Sequence, residues 1–329
     1  MVMDTDGLRE VDGIEITVLI DNKTDSLSTT PANFTSEWSN LRKAGMEQLS
    51  GSCQCCANHG LALIVKAWIG EESKTILFDA GPVEFAVEYN GTRLGAKFGE
   101  IDGIMLSHGH WDHAGGLPMA LDLIMQQNNN QEVPVYLHPG MFRQRALPLP
   151  GEDLLPIKEI PNPEDIKAKN GKPVITDKPM NVLNDMFFVS GEIDRVTPYE
   201  VGFPGHMRRS EDGKEWEPDP LIMDERYLAV NIKNKGPVIF SACSHAGIVN
   251  VMHAARKDFG NIPFHSLIGG YHLSGANEKI IDQTVEDFAQ FDIDLILPGH
   301  CTGWRATNAL EQKFGDKVVP IAVGMQIDM

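Results

Sequence analysis

The sequence has 329 residues, 42% of them hydrophobic, which is enough for one large or two ordinary domains with a packed core. Its 28 basic and 46 acidic residues give a formal net charge of −18, and this negative field argues against a nucleic-acid partner. No apolar stretch is long enough to span a bilayer, and the N-terminus lacks the basic start and apolar centre of a signal peptide. We therefore expect a cytoplasmic protein, without a membrane partner, that acts on a small and possibly anionic molecule.

The first part of the chain predicts strands of a buried sheet. Residues 14–20 alternate and then run apolar, which is typical of a strand that enters a core. A polar connection follows, with one short helix expected over residues 38–49. Residues 61–68 and 75–78 then predict two paired strands that are joined through Gly70.

Three of the five cysteines lie together as Cys53, Cys55 and Cys56. An odd number of cysteines in a protein without a signal peptide argues against a disulfide framework. The Cys-x-Cys-Cys cluster could bind a soft metal, but it lacks the second pair that a structural zinc site needs. Small buried thiols are the favoured interpretation.

Asp79 closes the second of the paired strands, and its role has two interpretations. A carboxylate at a strand end is well placed to hold the free ring N–H of a metal-ligating histidine. The same carboxylate could instead cap the helix expected after Pro82. This segment alone favours neither interpretation.

The stretch LSHGHWDHAGGL, residues 106–117, is the densest group of potential metal ligands in the chain, namely His108, His110, Asp112 and His113. Histidines two positions apart cannot share a helix face, so they must lie on extended or looping backbone. An apolar strand is predicted before them over residues 101–106, and helical spacing follows over 117–125. The pattern predicts a strand, a metal loop and a helix.

Imidazole and carboxylate ligands suit zinc and its neighbours such as iron or manganese. Four ligands so close together exceed the three that one open catalytic zinc site uses, so two divalent metal ions are predicted. A polar turn that is rich in histidine by chance is the alternative. The glycines at the bends of the loop argue against it.

Beyond a short strand at 133–138, the composition shifts to prolines, glycines and charges. We expect a single domain over residues 1–329, with a cap-like insertion at about 139–225 that covers the site. The insertion carries five candidates for binding an anionic substrate: Arg143, Arg145, His206, Arg208 and Arg209.

Regular structure resumes after this insertion, and three histidines each follow a predicted strand. His245 follows the strand at 237–241 and begins a helix that ends near residue 259, His272 follows the strand at 264–269, and His300 follows the strand at 294–297. A sheet-based enzyme gathers its chemistry at such strand ends. Two strand-rich halves with helices at their junctions fit an α/β (α+β) protein, an αββα sandwich of two mixed sheets with flanking helices.

The His-x-His-x-Asp-His signature resembles that of the metallo-β-lactamase superfamily. Asp79, His245 and His300 match further motifs of that superfamily in the expected order. The segments around His59, Phe188, Cys243, Gly269 and His300 resemble the branch labelled 7,8-dihydropterin-6-methyl-4-(β-D-ribofuranosyl)aminobenzene 5′-phosphate synthase.

The resemblance implies how the ligands divide between two metals. His108, His110 and His245 would hold one ion, and Asp112, His113 and His300 the other, while Asp79 and His59 would support the ligands from behind. The superfamily usually has a bridging aspartate between the motifs of His245 and His300, and here His272 stands in that position. An imidazole bridges two metals poorly, so His272 is expected to bind one metal terminally or to leave the second site weaker.

The expected activity is metal-dependent hydrolysis, with two zinc ions and a metal-bound hydroxide that attacks a small ester, lactone or phosphoester. Asp112 and His110 are the catalytic candidates, and Asp112 would orient the hydroxide. Two alternatives stay open: a synthase reaction of the kind the branch label names, and a non-catalytic small-molecule sensor. A redox di-iron protein is disfavoured, because flavin-linked relatives usually have a glutamate where His110 stands.

Overall fold

The structure is a computed structural model that describes residues 5–149, 151 and 154–329. The other residues of the expected 1–329 domain, including residues 1–4 at the N-terminus where a signal peptide would begin, lie outside the described part. The described strands are β1 (Glu10–Val11), β2 (Gly13–Ile20), β3 (Phe34–Thr35), β4 (Ala62–Ile69), β5 (Glu72–Phe78), β6 (Gly103–Met105), β7 (Val133–Leu137), β8 (Arg145–Pro148), β9 (Leu154–Ile157), β10 (Gly171–Ile175), β11 (Met180–Val182), β12 (Phe187–Val189), β13 (Met207–Arg209), β14 (Trp216–Pro218), β15 (Leu228–Ile232), β16 (Gly236–Cys243), β17 (Phe264–Gly270), β18 (Ile293–Pro298) and β19 (Gln326–Asp328). The described α-helices are α1 (Glu37–Lys43), α2 (Glu84–Leu94), α3 (Trp111–Ala114), α4 (Leu117–Gln127), α5 (Pro163–Ala168), α6 (Ile248–Phe259), α7 (Ile281–Phe288) and α8 (Trp304–Phe314).

Two large mixed sheets form the centre of the molecule. Sheet 1 has eight strands in the order β10-β7-β6-β5-β4-β2-β19-β3, and β5, β6, β7 and β10 run parallel to their neighbours within that set. Sheet 2 has seven strands, β11-β12-β15-β16-β17-β18 with β1 beside β15, and β16, β17 and β18 are parallel. Because parallel strands end at the same edge, each sheet brings several strand ends together.

The two sheets pack face to face around one apolar core. Val65 and Phe78 of sheet 1 and Val230 and Phe240 of sheet 2 belong to it, and the rings of Phe78 and Phe240 meet edge to face with centroids 6.1 Å apart. Helices α2 and α4 cover the outer face of sheet 1, and α6, α7 and α8 cover the outer face of sheet 2. The predicted αββα sandwich is confirmed.

The segment expected to form a cap is divided between three sheets. Gly171–Ile175 joins sheet 1 beside β7, and Met180–Val182 and Phe187–Val189 join sheet 2. A third sheet, β14-β13-β8-β9, lies outside the sandwich. This small sheet and the loops that flank it are the part of the segment that reaches the site.

No helix among the described residues is long and apolar enough to cross a membrane.

Candidate metal centre

The histidine-rich loop leaves sheet 1 at the end of β6 and continues into the short helix α3. His108 and His110 lie on the loop, and Asp112 and His113 lie on the helix. Gly109 is required between the two histidines, because a Cβ atom there would lie 2.5 Å from the carbonyl oxygen of Met141. The loop therefore passes directly over the backbone of the cap-side segment.

Three buried histidines converge into a first group, formed by His108, His110 and His245. Nε2 of His108 and Nδ1 of His110 are 3.0 Å apart, and the ring centroids of His108 and His245 are 4.9 Å apart. His245 arrives from sheet 2, directly after β16. Nitrogens at such separations can share one cation.

A second group lies beside the first and contains His113, His300 and Cys243, whose ligand atoms all lie within 4.8 Å of one another. The Oδ2 atom of Asp112 is 3.6 Å from Nε2 of His113 and 3.5 Å from Nε2 of His300. His300 follows β18 of sheet 2. The two groups therefore combine ligands from both sheets.

Unpartnered ring nitrogens test whether these residues fit a cation. Nε2 of His113, Nε2 of His300 and both ring nitrogens of His245 are buried without a hydrogen-bond partner. Buried polar atoms in folded proteins nearly always have a partner, so several orphans in one place indicate an ion that satisfies them. Nitrogen, carboxylate and thiol donors are the ligand set of zinc and its neighbours, and the residues therefore fit divalent cations of that kind.

The protonation of the histidines suits ligation in the first group and opposes it at His113. Burial lowers the pKa of His108, His110 and His245 well below the usual value, and neighbouring histidines add to the effect. Burial also acts to lower the pKa of His113, but the carboxylates of Asp112 and Asp79 outweigh it and raise this pKa to about 9. A cation at the second group must therefore displace a proton from His113.

Comparisons with known proteins agree with this geometry. Residues 62–207 match the family model of the metallo-β-lactamase superfamily. This matched segment contains the histidine-rich loop with His108, His110, Asp112 and His113. Over 260 residues it is 29% identical to the 7,8-dihydropterin-6-methyl-4-(β-D-ribofuranosyl)aminobenzene 5′-phosphate synthase of Methanocaldococcus jannaschii, an alignment that covers 78% of this chain and 85% of that protein.

Solved structures support the same fold over nearly the whole chain. A crystal structure described as a metal-dependent hydrolase of the β-lactamase superfamily superposes with a TM-score of 0.69 at 21% identity and covers 95% of this chain and 98% of its own. A metallo-β-lactamase fold protein from Bacillus subtilis superposes with a TM-score of 0.54 at 11% identity, covering 97% of this chain and 100% of its own. At these identities the likeness establishes the metallo-β-lactamase fold alone.

Within this metallo-β-lactamase fold, Asp79 lies behind the ligands. Its Oδ2 atom accepts hydrogen bonds from Nδ1 of His113 at 2.7 Å and from the hydroxyl of Ser107 at 2.8 Å, and its Oδ1 atom accepts one from the Ser107 N–H at 2.7 Å. The Ser107 oxygen is in turn 2.9 Å from Nδ1 of His108. The alternative role as a helix cap is not realised, since α2 begins after Val83 without a side-chain cap.

Asn22 and Asp21, at the end of β2, hold His300 in a similar way. Oδ1 of Asn22 is 3.0 Å from Nδ1 of His300, and Oδ1 of Asp21 accepts the His300 N–H at 2.7 Å. Nδ2 of Asn22 lies 3.1 Å from Nδ1 of His59, whose Nε2 is 3.6 Å from Oδ2 of Asp112. The side chain of His59 is 60% exposed, so it marks the side on which the centre is open to solvent.

Three residues of the centre adopt left-handed backbone conformations that non-glycine residues rarely use. The φ angles are +56° at Asp79, +49° at His272 and +43° at His300. Such conformations cost about 1–3 kcal/mol each and persist where the surroundings enforce them. They place the side chains directly at the ends of β5, β17 and β18.

His272 contacts one member of each ligand group. Its Nδ1 atom is 3.4 Å from Sγ of Cys243 in the second group, and its ring centroid is 4.3 Å from that of His245 in the first. It forms a possible ligand triad with these two residues. Its role as a terminal ligand stays a prediction.

His206 is the one residue of the five anion-binding candidates whose side chain contacts a ligand of the first group. Its Nε2 atom is 3.0 Å from Nε2 of His110, and its Nδ1 atom is 3.0 Å from the carbonyl oxygen of Asp219. With Nδ1 of His110 turned toward His108, Nε2–H of His110 can donate to His206. His206 can therefore support a ligand from behind, and its predicted contact with substrate stays a prediction.

Arg145 is buried beneath the loop, and its guanidinium lies 2.5 Å from the Asp224 carboxylate. The other oxygen of Asp224 accepts the N–H of Gly109 at 2.8 Å. Arg145 thus positions the metal loop through Asp224. Its predicted contact with substrate stays untested.

The other three arginines pair within the small sheet. Arg143 contacts Glu211 at 3.0 Å, and Arg208 contacts Glu217 at 2.8 Å. Arg209 lies over the ring of Trp216 at 4.3 Å. Each has a local partner, and their predicted role in binding an anionic substrate stays a prediction.

Sequence reasoning missed five residues that the fold brings to the centre: Asp21, Asn22, Ser107, Asp224 and Cys243. Ser107 stands next to the first histidine, and a serine at that place in the motif could have been recognised as a support for it. Asn22 and Asp224 lie far from the motifs, and no local pattern distinguishes them. Cys53, Cys55 and Cys56 are free thiols and belong to none of the potential metal groups among the described residues.

Proposed function

We propose that this protein is a metal-dependent hydrolase that binds two divalent cations, with zinc expected, and cleaves a small ester, lactone or phosphoester. The observation that carries the proposal is the set of orphaned, buried nitrogens of His113, His245 and His300, which face two adjacent ligand groups. None of these nitrogens forms a hydrogen bond with another described residue. Superfamily members are often metal-dependent hydrolases, which supports the same reading.

When bound, such cations supply a Lewis acid and lower the pKa of water enough to make it a nucleophile near neutral pH. The chain's own residues supply position and proton handling. Asp112 lies between His59, His113 and His300 at 3.5–3.6 Å, and its side chain is 12% exposed. Its carboxylate can orient an attacking water and hold the proton that the water gives up. Nδ1 of His59 accepts a hydrogen bond from the Asn22 amide, so its Nε2 carries the hydrogen and faces Asp112. The exposed side chain of His59 marks the side on which Asp112 can release the proton to solvent.

The rest of the centre excludes water and fixes the ligands. His108 and His113 are fully buried, and His110, His245 and His300 are each at most 6% exposed. Asp79, Ser107 and Asn22 fix which ring nitrogen of each histidine faces the cations. Substrate therefore approaches from the side of His59 and Asp112.

A second candidate is the synthase reaction named for the Methanocaldococcus jannaschii relative, because that protein aligns with 78% of this chain. Such a reaction would use the same cations as Lewis acids and needs a contact for its substrate phosphate. Arg143, Arg208 and Arg209 are candidates for that contact, and each would have to exchange its local partner for the phosphate.

Metal analysis combined with a panel of esters, lactones and phosphodiesters tests the proposal. We expect two divalent cations per chain and turnover of at least one substrate class. His110→Ala, which removes a ligand of the first group, should lose one cation and the turnover. His253→Ala is the matched control. His253 lies on α6, where its ring packs against Phe291 and takes no part in the ligand groups. Full turnover after metal removal, or in His110→Ala, would contradict the proposal. Tight binding of a small molecule without turnover would indicate the sensor instead.

A further inference from the structure

The end of β17 offers no side chain to the second ligand group. Gly270 is the last residue of this strand. A Cβ atom at Gly270 would lie 2.4 Å from the carbonyl oxygen of Ala242, 2.7 Å from Sγ of Cys301 and 3.1 Å from Cδ2 of His300. The space that an aspartate would need at this strand end is therefore already filled.

The neighbouring strand β16 instead presents Cys243, whose Sγ atom lies 2.9 Å from the Cys301 sulfur that fills this space. Cys243 ends β16 and pairs with Gly270 in the sheet register. It is 4% exposed, and its Sγ atom lies within 4.8 Å of the ligand nitrogens of His113 and His300. The same two histidines have orphaned Nε2 atoms. Sulfur and two nitrogens thus enclose a position that a cation can occupy.

We propose that Sγ of Cys243 is a ligand of the second cation, together with His113, His300 and Asp112, in the place of a bridging aspartate. The inference rests on the proposed function, which supplies the two cations. A thiolate is a soft ligand and favours zinc, iron or cobalt over magnesium, manganese or calcium. The sulfur therefore makes the second position selective for borderline metals.

The surroundings of the sulfur fit this role. Sγ of Cys301 is 2.9 Å away and Nδ1 of His272 is 3.4 Å away, so an S–H and an N–H can both donate to a thiolate at Cys243. Donors of this kind orient and tune a metal-bound sulfur. Cys301 belongs to none of the ligand triads, so its role differs from that of Cys243. His272 then acts as a hydrogen-bond donor behind the ligand.

Cobalt substitution under reducing conditions tests the inference without an activity assay. We expect the full chain to bind two Co²⁺ ions and to show a near-ultraviolet sulfur-to-cobalt charge-transfer absorption. Cys243→Ser should lose this absorption and bind the second ion at least about 10-fold more weakly. Cys243→Asp should retain two ions without the absorption. Cys56→Ser is the matched thiol control, because Cys56 belongs to none of the ligand groups, and it should keep both the absorption and the affinity. Cys301→Ser should keep the absorption.

X-ray absorption of the zinc-loaded wild-type protein needs no variant and guards against misfolding of Cys243→Ser. We expect one sulfur scatterer at about 2.3 Å among nitrogen and oxygen ligands at about 2.0–2.1 Å. Two bound ions without a sulfur scatterer, or a charge-transfer absorption that disappears in Cys301→Ser instead of Cys243→Ser, would overturn the inference and leave the proposed function standing. A wild-type protein that binds no second ion would overturn both.

Discussion

Replacing Asp79 by asparagine should show whether this residue positions the metal ligands or only stabilises the fold. Asp79 is fully buried and accepts three hydrogen bonds, two from Ser107 and one from His113. An amide has one acceptor oxygen, so in either orientation its NH₂ group faces at least one of these donors. A buried donor that loses its partner costs about 1–3 kcal/mol, and we expect the free energy of unfolding of the metal-free protein to fall by that amount.

The effect on metal binding should exceed what instability alone would cause. Without the carboxylate, His113 can turn or change its tautomer, and loss of such a support typically weakens metal affinity about 10–100-fold. Competition titration with a chromophoric chelator measures the affinity, and urea denaturation of the metal-free protein measures the stability. Asp102→Asn is the matched control, because Asp102 accepts hydrogen bonds from Thr75 and Lys74 at the opposite end of β6.

The reasoning predicts that Asp102→Asn loses stability while both cations bind as in the wild type. Asp79→Asn should lose stability and affinity together. If Asp79→Asn became less stable but bound both cations as tightly as the wild type, Asp79 would be a structural residue only. Its hydrogen bond to His113 would then have no part in holding the ligand.

Three further predictions concern the loop and the cations. Gly109→Ala should lower the free energy of unfolding by about 1–3 kcal/mol and weaken cation binding by the first group, because its Cβ would meet Met141. Gly51 lies in open space, so Gly51→Ala should change neither quantity in the same denaturation and titration assays. Arg145→Met should lower the free energy of unfolding by about 3–5 kcal/mol, because it leaves Asp224 as an uncompensated buried charge. A loss below about 1 kcal/mol in urea denaturation would contradict a stabilising ion pair between Arg145 and Asp224. Removing the cations with a chelator should lower the melting temperature in calorimetry, since each zinc site at 100 times its Kd stabilises the folded protein by about 2.7 kcal/mol. An unchanged melting temperature would argue against bound cations.

Local pattern was sufficient for most of the elements that carry the centre. The alternating and apolar stretch at 14–20 is strand β2, and the stretches at 133–138 and 264–269 are β7 and β17 within one residue at each end. The helix predicted over 38–49 stops at Lys43 instead, because the chain reaches Gly45 with a φ of +104°. Periodicity does not reveal where such a glycine turns the chain.

Contacts between distant segments explain what the sequence could not reveal. The motifs identified the candidate ligand histidines and their order along the chain, because these histidines follow predicted strands. The pairing of Arg145 with Asp224 joins residues on different elements, and Arg145 was predicted to contact substrate only because it is basic. Cys243 was recognised only within a segment that resembles the synthase-labelled branch, and its nearness to His113 and His300 depends on how β16 packs against its neighbours.

The centre also joins the two sheets, and this explains why its supports are scattered along the chain. Asp21 and Asn22 follow a strand of sheet 1 and hold His300, which follows a strand of sheet 2. In the opposite direction, the N–H of Arg226, beside sheet 2, donates at 2.9 Å to the carbonyl oxygen of Ser107 on the metal loop. Since His300 and the backbone of the metal loop are each held partly from the other sheet, these parts of the centre reach their places only when the sheets pack together. The strained backbone at His300 is thus maintained by long-range hydrogen bonds.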